Sequence, residues 1–255
     1  MADAKLTGIS QKETLQYLGW LGSPIPDELE DEISRCESRI LETARPRAVW
    51  RLFDLLPDGS LAGTQFRPEG QDVPALLKDC SQVILMAVTL GSETERLLRT
   101  AQARSMGEAV ILDAAAGAAV ENVCDNLCRD LEAQFSPRFL TDRFSPGYGD
   151  FPFSQQRAFF DLLDITRRIG VSLTDSGLML PQKSVTALMG LADTPQEHRH
   201  RGCASCRLFA TCCFRDRQGS GKGRISRKHS FQKGCKTRQE TQQSQGREVI
   251  LTRPH

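Results

Sequence analysis

The apolar positions of this chain change period along its length, and those changes mark out the elements. Val83 to Leu90 is a continuous apolar run of strand length stopped by Gly91, and it predicts a strand buried on both faces at the centre of a sheet. Ser10 to Glu13 is a capping-box pattern, and Leu15, Leu18 and Leu21 continue it on one helical face until Gly22 and Pro24. Pro26 opens a second helix, with Asp27, Glu28, Glu30, Asp31 and Glu32 near its positive end, running to about Ala44 before Pro46. Ala48 to Leu56 is rich in strand formers, and the turn Pro57-Asp58-Gly59 predicts a hairpin whose second strand returns through Phe66.

Two further capping-box patterns, Ser92 to Glu95 and Ser105 to Glu108, predict helices over about 93–104 and 106–132, the second closed by Pro137. Ser154 is placed to cap a helix with Phe159, Leu162, Leu163 and Ile169 as its apolar stripe and Gly170 as its stop. Val171 to Leu180 and Ser184 to Leu191 are strand-like runs joined at Pro181. Together these elements predict a layered α/β or α+β structure with several hairpins and with helices against one face of the sheet. No repeat of fixed period is present.

Charge divides the chain more sharply than hydropathy does. Residues 1–215 carry 23 Lys and Arg against 29 Asp and Glu, whereas residues 216–255 carry 10 against 3. The last segment is rich in Gln, Lys, Arg, Gly and Ser and has too few apolar residues to bury a core, so it predicts a basic disordered tail. Its charge suits an acidic partner surface, but without aromatic interleaving nucleic-acid binding is not expected. Met1 to Thr14 has no signal-peptide pattern, and no apolar run reaches membrane-spanning length. A cytoplasmic protein with reduced thiols is therefore expected, and no membrane partner.

Among the nine cysteines, Cys203, Cys206, Cys212 and Cys213 lie in polar surroundings that packing does not explain. A Cys-x2-Cys-x5-Cys spacing lets thiolates converge on a soft metal or an iron–sulfur cluster. Iron–sulfur and zinc both remain open, as does the fourth ligand, for which Cys213, Cys235, His198 and His200 are available. A redox dithiol and unligated thiols are the other readings of this segment. Cys124 and Cys128 share a helix face with Val120, Val123, Leu127 and Leu131 and are expected to pack in the core.

The remaining chemistry lies in residues 143–152. Pro146 fixes one backbone angle, and Gly147 and Gly149 can take angles closed to other residues, so a tight loop of close approach is expected. Arg143 adds a planar cation suited to a carboxylate, and Tyr148 an aromatic face with a polar tip. The pattern Arg143-x-x-x-Gly147-Tyr148, followed by the element from Leu173 to Val185, resembles the reactivation domain of cobalamin-dependent methionine synthase. The resemblance spans about residues 80–192.

It implies an α+β fold, a twisted and largely antiparallel sheet with flanking helices. It further implies that Arg143 holds the carboxylate of S-adenosylmethionine and that backbone around Ser145 meets the adenosyl group. Gly147 and Tyr148 would shape the loop, and Glu121 on the long helix would reach the amino group. The family's acidic contact from near its own N-terminus has no evident counterpart here. Residues 1–192 would then be an activation-like domain, 193–215 a cysteine-rich metal or cluster segment, and 216–255 the tail. The implied role is that of a free-standing component of a methionine synthase system in methionine biosynthesis. It would supply methyl for reductive reactivation of a cobalamin carried by a partner methyltransferase subunit, with a flavodoxin or ferredoxin as electron donor. The competing expectation is a metal- or cluster-bearing docking adaptor for a corrinoid protein that does not use S-adenosylmethionine.

Overall fold

The computed structural model describes residues 4–20 and 24–196. The expected metal ligands Cys203, Cys206, Cys212 and Cys213, and the basic tail, lie outside the described residues.

A four-stranded sheet organises the chain. Its strands β1 (Arg47–Asp54), β2 (Cys80–Thr89), β3 (Phe139–Leu140) and β6 (Ser184–Ala192) lie in the order β1-β2-β6-β3, each pair of neighbours antiparallel. β2 is central, as its unbroken apolar run predicts, and Val83 to Val88 are at most 1 % exposed. Its alternate side chains serve two cores, as a pleated strand requires. Ile84, Met86 and Val88 join one cluster, and Val83, Leu85 and Ala87 the other.

The first cluster lies under helices α2 (Asp27–Thr43), α4 (Ser92–Arg104) and α5 (Met106–Phe135), through Ile33, Ile40, Leu98, Leu112 and Val123. The second lies under α6 (Gln156–Leu163) and α7 (Ile165–Ile169), through Phe159, Phe160, Ile165 and Ile169. Helices therefore flank both faces rather than the one face expected, because a strand apolar on both sides exposes a core if either is left open. The α+β class and the antiparallel flanked sheet are as expected.

Local differences have local causes. Residues 60–66 form no return strand: Leu61 donates to Phe66 O within its own turn (2.9 Å), and only Leu55 and Leu61 bridge. Leu61 and Phe66 are drawn into the second core instead, and β1 pairs with β2. The helix expected from Ser154 begins at Gln156 and breaks at Asp164, whose φ is +52°, before α7 completes it. Residues 171–180 fold back as a small hairpin of β4 (Ser172–Leu173) and β5 (Met179–Leu180) rather than one strand.

Of the three capping-box patterns, those at Ser10 and Ser105 form their serine half, each serine accepting the N–H three residues on (3.3 and 3.4 Å), while the Ser105 N–H goes to Ala101 O and Glu108 to Arg39. At Ser92 the N-cap is instead Gly91, with φ +90°, and Glu95 accepts the Gln182 N–H at 3.0 Å. The leading helix α1 (Gln11–Tyr17) is shorter than its leucines suggest.

Truncating Ile84, wholly buried against the α2, α4 and α5 side, tests the two-faced core. Ile84→Ala is expected to lower unfolding free energy by about 2–5 kcal/mol in urea denaturation. A loss below about 1 kcal/mol would show that this face is not packed as described.

Candidate functional site

The site is assembled from an edge strip, one long helix and the leading helix. Residues 139–144 run along β6, with Thr141 N–H on Gly190 O (3.0 Å) and Phe144 exchanging both backbone bonds with Leu188 (2.9 Å each). Leu140 opposes Leu191 and Phe144 opposes Leu188, a one-residue shift of register, so Leu140 lies in the first core and Phe144 in the second beside Phe151, and the neighbouring Arg143 is left on the opposite face, where α5 passes. There Arg143 Nη2 donates to Glu121 Oε2 at 2.9 Å and to Asp125 Oδ1 at 2.8 Å. The two carboxylates are four residues apart and so share one face of α5.

The loop beyond Arg143 is wound as its glycines permit. Ser145 O accepts the Tyr148 N–H (3.0 Å) and Gly147 N–H donates to Phe151 O (2.9 Å). Gly147 and Gly149 have φ of +91° and +52°, where a side chain is strained. A Cβ on Gly149 would also collide with the Asp72 carboxylate.

That collision marks a clasp between the loop and the short helix α3 (Asp72–Leu76). Asp150 accepts the N–H groups of Gln71 (2.7 Å) and Asp72 (3.1 Å), and Asp72 accepts the N–H of Asp150 (3.1 Å). The loop is thereby held from behind, and the ring of Tyr148, 69 % exposed, stands towards solvent.

Helix α1 closes the site from a direction that the sequence did not reveal. The segment that leads into it is tied to α5 by Asn126, which donates to Lys5 O (2.7 Å) and Thr7 Oγ1 (3.0 Å), and by the Thr7 N–H on Asn122 Oδ1 (3.1 Å). Thr14 Oγ1, donating to Glu37 Oε1 at 2.8 Å, ties the helix itself to α2. These anchors bring Glu13 and Tyr17 beside Glu121. Burial pushes the Glu13 carboxyl up, Asp125 and Glu121 push it further, and Arg143 pulls it back. The Tyr17 phenol is pushed up to about 12 by burial, with Glu121, Glu13 and Tyr148 adding to the rise. The Tyr17 ring packs over Gly117 of α5, where a Cβ would lie 3.4 Å away.

Arg143, Glu121, Ser145, Gly147 and Tyr148 are thus drawn together, with the first two in direct contact. Glu13, Tyr17 and Asp125 were not foreseen. The spacing of Asp125 from Glu121 was a usable signal, but which face of α1 meets α5 had none. A groove of about 440 Å³ leads from Tyr17 and Glu121 along α5, past Gly117, Ala114 and Met106, to Lys183. A larger cavity of about 900 Å³ lies under the far end of β1 among Leu55, Phe66, Val73 and Leu77, and holds none of the site residues.

Among the described residues no group of three or more His, Cys, Asp or Glu side chains is placed to hold a metal ion. Cys124 and Cys128 are buried core residues, as expected. No helix among the described residues is long and apolar enough to cross a membrane.

Residues 85–199 match the family model described as the vitamin B12 dependent methionine synthase activation domain. The fold is similar to that in a crystal structure of the MetH reactivation domain bound to AdoHcy. The two share 19 % sequence identity with a TM-score of 0.51, over 72 % of this chain and 75 % of the other. At that identity the likeness speaks for the fold. No curated protein matches the chain in sequence.

The raised Glu13 carboxyl makes a pH-dependent prediction. The folded chain binds more protons than the unfolded one between the ordinary glutamate value of 4.5 and the raised value, so stability falls as pH climbs through that window. Glu13→Gln is expected to be more stable than the parent at neutral pH, by less than about 1 kcal/mol given its partial exposure. The advantage should disappear below pH 4.5. Urea denaturation at both pH values checks this, and an equal difference at both would show that the Glu13 carboxyl is not raised by its burial and neighbours in the folded chain.

Proposed function

We propose that this chain, homologous over residues 85–199 to the activation domain of vitamin B12-dependent methionine synthase, binds S-adenosylmethionine at Arg143. It presents the methyl group there to a corrinoid carried by a partner methyltransferase subunit. The observation that carries this reading is Arg143 itself. It opens the Arg-x-x-x-Gly-Tyr sequence, and the fold seats it against Glu121 at the mouth of a loop with two positive-φ glycines.

The ligand's α-carboxylate and α-ammonium call for one planar cation and one carboxylate a few ångströms apart, and Arg143 and Glu121 are such a pair. Arg143 takes the carboxylate with its guanidinium fork, and Glu121 takes the ammonium. Gly147 and Gly149, lacking Cβ atoms, let the adenosyl group lie against backbone around Ser145. Tyr148 offers an aromatic face at the solvent side, where a partner approaches. The clasp between Asp72 and Asp150 keeps the loop from moving as the ligand enters.

The chemistry supplied by the ligand is methyl donation from a sulfonium. When bound, the sulfonium would supply its methyl with the C–S electron pair staying on sulfur, which becomes a neutral thioether, and the pair for the new bond would come from the partner's reduced cobalt. The one electron that reduces cobalt comes from a separate donor of flavodoxin or ferredoxin type, in the cytoplasm. Cys203, Cys206, Cys212 and Cys213 follow directly on the matched segment, where a cluster would relay that electron.

Isothermal titration with S-adenosylmethionine tests the site. Arg143→Ala should weaken binding by about 2–3 kcal/mol, since a charge-assisted bond is lost and two carboxylates are left unneutralised. Arg143→Lys should fall between, keeping the charge but not the fork. Equal heats for all three proteins would place the ligand elsewhere. For the cysteine segment, anaerobic purification with iron and acid-labile sulfide analysis should find both in stoichiometric amounts, and zinc or no metal would end the electron-relay role.

A further inference from the structure

The surroundings of Arg143 hold more negative than positive charge. Nη2 of one guanidinium serves both Glu121 and Asp125, and Glu13 lies within electrostatic reach of all three. The exposed Lys12 is a second cation, but the weakest influence on Glu13. Among the described charges that act on Glu13, even counting Lys12, three carboxylates with its own included face two cations. The side chain of Arg143 is 22 % exposed, that of Glu121 36 % and that of Asp125 54 %. Asp125 is therefore the member of the cluster a ligand meets first and displaces most readily.

The methyl donor and its demethylated product share the same carboxylate, ammonium and nucleoside. They differ by one methyl and one unit of charge, because the sulfonium is cationic and the thioether neutral. Contacts to Arg143 and Glu121 cannot tell them apart; the field of the surrounding carboxylates can. Resting on the reading that this site binds S-adenosylmethionine, we propose that Asp125, with Glu13 behind it, is the specificity-determining residue that makes the site prefer the sulfonium donor and release the thioether product.

Asp125 acts in two opposed ways. Its negative charge attracts the sulfonium, and its carboxylate competes with the ligand's carboxylate for Arg143 Nη2. The donor feels both effects and the product only the competition. The net charge of the cluster thus favours exchange of spent for fresh ligand, the only rearrangement being release of the Asp125 side chain from Arg143.

The test is a pair of titrations, S-adenosylmethionine and S-adenosylhomocysteine, on the intact chain and on Asp125→Asn, Asp125→Glu and Glu13→Gln. The parent should bind the donor roughly ten-fold more tightly than the product, the size expected of one unit charge among partly exposed carboxylates. Asp125→Asn should bind the product more tightly than the parent does, and the preference should shrink to within about three-fold. Asp125→Glu should restore it. Glu13→Gln, which leaves the bonds of Arg143 intact, should narrow the preference while leaving product affinity unchanged. A purely structural role for Asp125 would weaken both ligands together. An unchanged preference in Asp125→Asn, or a loss common to both ligands, overturns the proposal while leaving the binding site in place. Failure of the parent to bind either ligand overturns the site itself.

Discussion

The architecture depends on burying β2 on both faces. Val83 to Leu90 carries no side that water can solvate, so the sheet must be covered above and below. One cover is the helical layer of α2, α4 and α5; the other is α6 and α7 with the aromatic cluster of Phe144, Phe151 and Phe159. This constraint places α5 lengthwise across one face. It also puts β6, the other neighbour of β2, where the edge strip 139–144 can pair with it.

The site follows from that placement. Along an edge strip, neighbouring residues point to opposite faces, so anchoring Phe144 in one core directs Arg143 at the helix covering the other. The guanidinium thus meets Glu121 and Asp125 through the same alternation that builds the cores. On the far side of the loop, Asp72 and Asp150 exchange backbone bonds. A loop with two left-handed glycines, which would otherwise sample many conformations, is held in one. Rigidity in the loop and charge on the helix come from separate elements. The sheet brings them together.

The acidic character of the site comes from three helix positions, and the third has a different origin. Glu121 and Asp125 come from one face of α5, but Glu13 arrives on a helix tied down, with the segment leading into it, by Asn122, Asn126 and Glu37, far away in sequence. The tie raises the Glu13 carboxyl and the Tyr17 phenol together. A site that binds a zwitterion needs only one charge of each sign. Under the proposed reading, the surplus of carboxylates around Glu13 would favour a ligand that carries an additional positive charge.

Most helices, the central strand and the loop motif were legible in the chain because each rests on short-range physics. Helical period, proline stops, serine caps at Ser10 and Ser105, and glycines at Gly147 and Gly149 act within a few residues. Where the reading failed, a distant contact had outbid a local preference. Phe66 left its expected strand for the second core, and the cap at Ser92 lost Glu95 to the backbone of Gln182. Local patterning alone was enough to specify a doubly buried strand, a long small-residue helix and an Arg-x-x-x-Gly-Tyr loop. Long-range packing settled that helices cover both faces, that β1 pairs with β2, and that Glu13 and Tyr17 come near Arg143. Such choices depend on which surfaces meet across tens of residues for the strands and more than a hundred for Glu13 and Tyr17, and no local period encodes that.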